Sequence, residues 1–190
     1  MAEAVHAVVN ASYGFESHVA FSCEKIKTKR QFIIDYVIPH LSSHGCLFDE
    51  MSSLPDSVAP CTLHDKECRV PQRMDVHVCG FSCRDLSKLN SCWSKEEKQH
   101  ILQQGLGTTG KTFASLINFA RKSLARTMIL ENVDELDDNG DSNPNLDFLY
   151  HILGSIGYSV AQKTMTAMHF GLPQHRKGCT SCACTTTAST

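Results

Sequence analysis

The sequence predicts an α/β fold with a mostly parallel β-sheet. Short apolar segments that contain β-branched residues, typical of strands, alternate with segments whose apolar residues recur at helical spacing. Strands that are separated by helices indicate βαβ units, in which successive strands run parallel. We expect strands at residues 18–23, 46–48, 74–78, 128–130 and 158–166.

Four helices are expected beside these strands, at residues 27–37, 94–104, 113–124 and 146–156. Ser94 and Glu97 have the spacing of a capping box, which marks the start of the second helix. Gly157 is expected to end the last one, because glycine adopts the left-handed conformation that commonly follows a helix. The stretch 52–71, rich in Pro, Ser and Asp, and the acidic stretch 134–145 are predicted to be loops.

The composition is that of a globular protein. The chain has 190 residues, of which 42% are hydrophobic, and this suits one globular domain. Its formal net charge of -2 shows that the chain is not strongly basic. Residues 1–6 lack the features of a signal peptide, and no apolar run reaches the length of a membrane span. We therefore expect a protein of the nucleus or the cytoplasm, neither secreted nor bound to a membrane, whose ten cysteines are reduced.

Chemically capable side chains follow four of the predicted strands. Glu24, Asp49 and Glu131 each come just after a strand, and Cys83 follows the strand that ends near Gly80. The carboxyl ends of parallel strands meet at one edge of a sheet, where α/β proteins place their sites. A single cysteine is more often a buried, inert residue. A thiol together with three carboxylates at the same edge predicts a catalytic site instead.

These residues belong to segments that resemble the cytosine-C5 DNA methyltransferases. Residues 80–83, Gly-Phe-Ser-Cys, resemble the nucleophile loop of that family, although Ser82 stands where the family usually has proline. Residues 131–133, Glu-Asn-Val, match a second motif, and residues 171–176 resemble the Gln-x-Arg-x-Arg segment, with Gly178 in place of its second arginine. The motifs occur in the family's order between residues 14 and 177, which is far more specific than any one of them.

The resemblance implies a Rossmann-like methyltransferase that uses S-adenosylmethionine to methylate C5 of cytosine in DNA. Cys83 would add to C6 of the base, Glu131 would hold or protonate N3, and Arg176 would stabilise O2 or a phosphate. Glu24 would bind the ribose hydroxyls of the cofactor and Asp49 its adenine amine. Asn132 and Gln174 would position the substrate.

Parts of the family pattern are not found in this sequence. Residues 1–13 contain no glycine-rich cofactor turn, and no DNA-recognition region follows Arg176. We therefore expect an incomplete fold, with residues 1–178 as a partial catalytic domain and 179–190 as a disordered tail. Two alternatives remain open at this point: a non-catalytic remnant that acts as an interaction module, and a methyltransferase whose substrate is cytosine in tRNA.

Two further segments resemble motifs of other functional sites. Residues 105–112 match the P-loop pattern, but a helical segment precedes them where a P-loop needs a buried strand. Cys61, His64 and Cys68 hint at a metal, as do the cysteines between 179 and 184, but neither group has the second pair of ligands that makes zinc spacing persuasive. The sequence therefore predicts no metal site.

Overall fold

The computed structural model divides the chain into two compact units, Met1–Met74 and Asp75–Thr190. It describes residues 17–41, 43–87, 90–133, 143–166 and 177–185, together with residues 136, 168 and 171. Within these residues no helix combines the length and the apolar character that a membrane crossing requires.

The first unit is built on a parallel pair of strands. Strand β1 (Val19–Cys23) pairs with β2 (His44–Phe48), and Cys23 lies opposite Phe48. Helix α1 (Lys27–Phe32) connects them and continues through a π-helical turn and a 3-10 turn to residue 40. The predicted strand–helix–strand order of this region is confirmed.

A β-hairpin extends this sheet, in a region that we predicted to be a loop. Strand β3 (Val58–Cys61) and strand β4 (Lys66–Arg69) pair with each other, and β3 also pairs with β2. The loop prediction for 52–71 was wrong because β4 is polar throughout and β3 contains Pro60, so neither has the local pattern of a strand. The hairpin forms through long-range pairing with β2, which local patterns do not reveal.

The second unit contains a four-stranded sheet. Strand β5 (Val76–Gly80) runs parallel to β6 (Thr127–Val133). Strand β7 (Tyr158–Thr166) lies at the far edge, and β8 (Lys177–Thr185) pairs antiparallel with both β6 and β7. The sheet order is therefore β5-β6-β8-β7.

Strand β8 corrects the expectation of a disordered tail. Residues 177–185 pair with β6 and β7 along their whole length, so only residues 186–190 of the expected tail lie outside the described part of the chain. The segment consists mainly of Thr, Cys, Ser and Ala and lacks the large apolar residues that mark a strand in sequence. Its backbone hydrogen bonds to two neighbouring strands define it instead.

Helices of the second unit follow the prediction with shifted boundaries. The expected helix at 94–104 is divided into α2 (Lys95–Gln99), which begins with the predicted capping box, and α3 (Ile101–Gln104). Helix α4 (Gly107–Ser123) begins six residues before the predicted start at 113 and buries Phe113, Leu116 and Phe119 almost completely. Helix α5 (Pro144–Ser155) contributes Leu149 and Leu153 to the core. Most of the acidic stretch 134–145 lies outside the described residues.

The predicted α/β class is confirmed, since the strands that precede the candidate site residues form parallel pairs. These pairs are β1 with β2 and β5 with β6. The remaining described pairs are antiparallel and come from the hairpin and from the two last strands. The sequence pattern did not predict these antiparallel additions.

Candidate active site

Two carboxylates lie at the ends of neighbouring strands in the first unit. Glu24 follows β1 and its backbone N–H donates to the carbonyl of Phe48 at 3.1 Å, which ties the end of β1 to the end of β2. Asp49 follows Phe48 directly and is half-buried. The Glu24 carboxylate accepts a hydrogen bond from the Ile26 backbone N–H at 2.8 Å, and this turn holds it just beyond the strand. Glu24 and Asp49 therefore follow the ends of two paired parallel strands.

In the second unit, Glu131 lies against the end of the strand that leads to Cys83. Gly80, the last residue of β5, is directly opposite Glu131 of β6. A Cβ atom at position 80 would lie 3.2 Å from Oε2 of Glu131, so the carboxylate lies close over the glycine backbone. Cys83 follows three residues later, in the loop that leaves this strand end.

The loop turns sharply at Cys83. The carbonyl of Cys83 accepts hydrogen bonds from the backbone N–H groups of Leu86 and Ser87, both at 3.1 Å, and the Cys83 side chain is half-buried. Cys79, in the strand itself, provides a contrast: burial raises the pKa of its thiol to about 12, so it is a poor nucleophile. The glycine and the turn bring Cys83 out of the core, whereas Cys79 remains in it.

Backbone and side-chain hydrogen bonds attach this loop to the first two turns of α4. The N–H of Ser82 donates to Oγ1 of Thr112 at 3.1 Å. The N–H of Asp85 donates to Oγ1 of Thr109 at 3.0 Å, and the N–H of Thr109 donates to Oδ2 of Asp85 at 2.8 Å. Proline at position 82 would have no N–H to donate, so the serine at this position has a structural use of its own.

Asp85 is the central acceptor of the loop. Its other carboxylate oxygen, Oδ1, accepts from the indole N–H of Trp93 at 3.1 Å and from the Asn90 amide at 3.4 Å. Burial by itself would raise the pKa of Asp85, but the donors of Thr109 and Trp93 outweigh it and hold the pKa below its usual value. We therefore regard Asp85 as an ionised carboxylate that caps the N-terminus of α4.

This arrangement explains the residues that match a P-loop pattern. The preceding element is helix α3, which ends at Gly105 in the left-handed conformation, and Gly107 begins α4. A Cβ at Gly107 would lie 2.4 Å from the Asp85 carboxylate. The carboxylate of Asp85 therefore occupies the helix N-terminus where a P-loop would bind phosphate. The sequence-based rejection of a nucleotide site agrees with this geometry.

Of the three remaining predicted site residues, only Asn132 lies in the described part of the chain. Asn132 is 3% exposed, and its amide donates to the carbonyl of Phe81 at 3.1 Å. Its contact is therefore with the loop that carries Cys83. Gln174 and Arg176 lie outside the described residues.

A comparison with protein families agrees with the motifs at residues 80–83 and 131–133. Residues 59–184 match the model of the C-5 cytosine-specific DNA methylases, which is more than half of the chain. The chain belongs to the C-5 cytosine-specific DNA methylase family. The matched region contains both the loop at Cys83 and the Glu-Asn-Val segment.

Curated relatives of this chain include a bacterial and a fungal protein. It is 30% identical over 108 residues to the type II methyltransferase M.MspI of Moraxella sp, which is 57% of this chain and 23% of that protein. It is 27% identical over 179 residues to the DNA (cytosine-5-)-methyltransferase DMT5 of Cryptococcus neoformans var. grubii, which is 93% of this chain and 6% of that protein. The chain thus spans less than a quarter of the length of either relative.

Solved structures support the fold of this chain. It superposes on the S. pombe Dnmt2 methyltransferase with a TM-score of 0.59 and 11% identity, over 98% of this chain and 47% of that one. A DNMT2 mutant from Spodoptera frugiperda gives a TM-score of 0.58 with 11% identity, over 97% and 47%. The Rossmann-like methyltransferase fold predicted from the sequence is therefore confirmed.

Proposed function

We propose that this chain provides the base-activating residues and part of the cofactor site of a DNA cytosine-C5 methyltransferase. The observation that carries the proposal is the position of Glu131 opposite Gly80, at the end of the strand that leads to Cys83. Glu131 and the half-buried thiol of Cys83 lie at the same pair of strands. This suits a reaction in which the thiol adds to one atom of a conjugated ring and the carboxyl group handles the proton at another. The family membership supports the same chemistry.

Cys83 is proposed as the nucleophile. Its thiolate forms a bond from Sγ to C6 of cytosine, and the electron pair of the C5–C6 double bond shifts towards C4 and N3. The ring then resembles an enamine and is nucleophilic at C5, which is otherwise unreactive towards a methyl donor. After methylation, loss of the C5 proton to a water molecule or hydroxide restores the double bond and releases Cys83 as the thiolate. The target base must first leave the helical stack, at a cost of a few kcal/mol.

Glu131 is proposed as the group that handles the proton at N3. It gives a proton to N3 as Cys83 adds and receives it again when Cys83 leaves, so the carboxyl group ends in its starting state. Asn132 would support this step indirectly, because it holds the loop backbone at Phe81. Arg176 and Gln174 are proposed as further substrate contacts on the strength of the motif alone.

Glu24 and Asp49 are proposed to hold S-adenosylmethionine. The donor set of this molecule fits them, since ribose hydroxyls and an adenine amine are hydrogen-bond donors and the two strand-end carboxylates are acceptors. When bound, the cofactor would supply a methyl group from its sulfonium sulfur. The close approach of the two strand ends, with Cys23 opposite Phe48, supports the proposal that both acids bind one ligand.

A covalent trapping experiment tests the nucleophile. The chain is incubated with S-adenosylmethionine and duplex DNA that contains 5-fluorocytosine, whose C5 substituent cannot leave as a proton, and a denaturing gel reports the adduct. We expect an adduct with the wild-type chain and with Cys92→Ser, since Cys92 is exposed in the described structure and lies outside the proposed chemistry. Cys83→Ser should give none, and an adduct that survives this substitution would eliminate Cys83.

The same trapping assay, carried out with a tRNA that contains 5-fluorocytosine, tests whether the substrate is DNA or RNA. Trapping of the RNA in place of the DNA would overturn the DNA assignment in favour of the tRNA alternative. Absence of an adduct with either nucleic acid would favour a non-catalytic module.

Calorimetric binding of S-adenosylmethionine tests the two cofactor acids. We expect Glu24→Gln and Asp49→Asn to weaken binding at least about tenfold each, because each removes a charge-assisted hydrogen bond. Glu50→Gln is the matched control, since Glu50 is next to Asp49 but forms a surface ion pair with Lys25 at 3.0 Å. Equal affinity in the wild type and the Glu24 variant would remove Glu24 from the site. We propose the nucleus or the cytoplasm as the place of this activity.

A further inference from the structure

Three cysteines and one histidine of the first unit form a compact cluster. The ligand atoms of Cys46, Cys61, His64 and Cys68 all lie within 4.8 Å of one another. Nδ1 of His64 is 3.7 Å from Sγ of Cys46, 3.3 Å from Sγ of Cys61 and 3.4 Å from Sγ of Cys68. The imidazole nitrogen thus faces all three sulfurs at nearly equal distances.

The three nitrogen–sulfur separations match the edges of a tetrahedron around a zinc ion. With zinc–sulfur bonds of about 2.3 Å and zinc–nitrogen bonds of about 2.0–2.1 Å, a tetrahedral site has sulfur–nitrogen edges of about 3.6 Å. The distances from Nδ1 of His64 to the three sulfurs lie within a few tenths of an ångström of that value.

The fold assembles the cluster from three strands. Cys61 ends β3, His64 lies in the turn between the two hairpin strands, and Cys68 lies in β4. Cys46 comes from β2, 18 residues before His64. The backbone N–H of Thr62 donates to the carbonyl of Leu47 at 2.8 Å, so the turn is fixed beside β2.

A backbone group beside Cys61 provides a second observation. The N–H of Leu47 donates to Sγ of Cys61 at 3.4 Å. Metal-bound side chains usually have such an outer layer of hydrogen bonds, which fixes their orientation. Strand β2 thus supplies both the ligand Cys46 and a hydrogen bond to the ligand Cys61.

We propose that these four residues bind one zinc ion. Three thiolates and an imidazole, with tetrahedral spacing and no carboxylate, are a donor set that selects zinc over magnesium, calcium or manganese. Four protein ligands leave no open coordination position, so the ion has a structural role and takes no part in methyl transfer. It fastens the hairpin to β2, whose end leads into Asp49.

This site departs from the sequence expectation of no metal. The sequence contained Cys61, His64 and Cys68 at short spacing but lacked a recognisable fourth ligand. Strand pairing supplies that ligand, because β2 brings Cys46 to the hairpin. Such a link adds most to the stability of a small sheet with a polar fourth strand, because the apolar core of that sheet is limited.

Metal analysis of the full chain tests the proposal. The chain is produced with zinc in the medium, purified under reducing conditions and analysed by mass spectrometry for metals, where we expect about one zinc ion per chain. The same chain reconstituted with cobalt(II) should show the intense visible absorption of a tetrahedral ion and a sulfur-to-cobalt charge-transfer band. This second measurement needs no variant, so a folding failure of a variant does not prevent a decision.

Variants then identify the ligands. Cys61→Ser and Cys68→Ser should each lower zinc affinity at least about tenfold, whereas Cys23→Ser and Cys92→Ser should not change it, since these two thiols are outside the cluster. His64→Cys should retain one metal ion and strengthen the cobalt charge-transfer band, because a fourth thiolate replaces the imidazole.

Three results would overturn the zinc site. They are a wild-type chain without stoichiometric zinc, a cobalt spectrum typical of octahedral coordination, and a disulfide within the cluster in the purified reduced protein. None of these measurements uses methyl transfer, so their outcome is independent of the proposed activity.

Discussion

Asp85 and Thr109 exchange two hydrogen bonds between the loop that carries Cys83 and the first turn of α4. Each backbone N–H donates to the side-chain oxygen of the other residue, at 3.0 and 2.8 Å. Both residues are buried. The position of the loop that carries Cys83 is therefore set by a helix that begins more than twenty residues later in the chain.

Asp85→Asn should destabilise the protein by about 1–2 kcal/mol. The amide retains the shape of the carboxylate but removes the charge at the helix N-terminus and forces an N–H₂ group towards other donors. Urea unfolding at pH 7 measures the loss. Because the folded protein lowers the pKa of Asp85, its contribution is present above the ordinary pKa of the carboxyl group and is lost as the pH falls through the lowered value.

Thr109 provides the controls for this interaction. Thr109→Ser keeps the hydroxyl acceptor and should remain close to the wild type, whereas Thr109→Val should lose about 1 kcal/mol. Equal stability of the two Thr109 variants would contradict the role assigned to the hydroxyl group.

Gly107→Ala should destabilise the protein by about 2 kcal/mol or more. The residue has φ +60°, and an added Cβ would lie 2.4 Å from the Asp85 carboxylate, so backbone strain and a steric clash act together. Gly154→Ala is the matched control in α5, because a Cβ there meets nothing within 4 Å. That substitution should stabilise by about 0.5–1 kcal/mol. Thermal unfolding of the two variants should shift in opposite directions.

The N–H of Ser82 should be energetically coupled to the Thr112 hydroxyl. Thr112→Val removes the acceptor of a 3.1 Å hydrogen bond, and Ser82→Pro removes its donor. A double-mutant cycle should therefore give a coupling of about 1 kcal/mol, with Thr112→Val costing less in the proline background. The cycle cancels the separate effect of proline on the unfolded chain. Additive losses would show that this hydrogen bond contributes nothing.

Asn132→Leu should destabilise the second unit by about 1–3 kcal/mol and reduce trapping of 5-fluorocytosine DNA. The substitution leaves the Phe81 carbonyl without the amide donor that now lies 3.1 Å away in a buried setting. Asn90→Ala tests the specificity of the effect, since the Asn90 amide also contacts the loop but is less buried. If the adduct yield of folded Asn132→Leu equals that of the wild type, Asn132 acts on stability alone.

His77 should make the protein sensitive to mild acid. It lies in β5 with its ring edge against Phe119, and burial lowers its pKa from 6.5 to about 4. Above about pH 6.5 the imidazole is neutral in both the folded and the unfolded state. Between about pH 6.5 and pH 4 it is protonated in the unfolded chain but neutral in the folded protein, so acid favours the unfolded state. The resulting loss of stability is about 2 kcal/mol at pH 5.

The His77 contribution is measured by urea unfolding at pH 7.5 and pH 5. We expect His77→Leu to show a smaller fall between the two pH values than the wild type, whatever its stability at pH 7.5. His151→Gln, at an exposed position of α5, should keep the wild-type fall. An unchanged fall in His77→Leu would assign the acid sensitivity to other groups.

Much of the site was predictable because its residues follow strands with clear local patterns. The strand ends at Glu24 and Asp49 and the capping box at Ser94 could be predicted from short stretches of sequence, and the structure contains them. Glu131 was expected just after a strand but lies within β6, which extends to Val133. The hairpin at 58–69 and strand β8 could not, because their residues are polar or small and their pairing partners are distant in the chain. The contact of Asn132 with Phe81 was missed for the same reason.

The sequence by itself determined the α/β class, the order of the motifs and the family. Only the tertiary structure decided that the glycine-rich segment before α4 receives the Asp85 carboxylate, and that Cys46 joins Cys61, His64 and Cys68. Local patterns record the period of a strand or a helix, which depends on neighbouring residues. Contacts between residues that are far apart depend on how strands pair and helices pack, and a single sequence carries no local signal of that pairing.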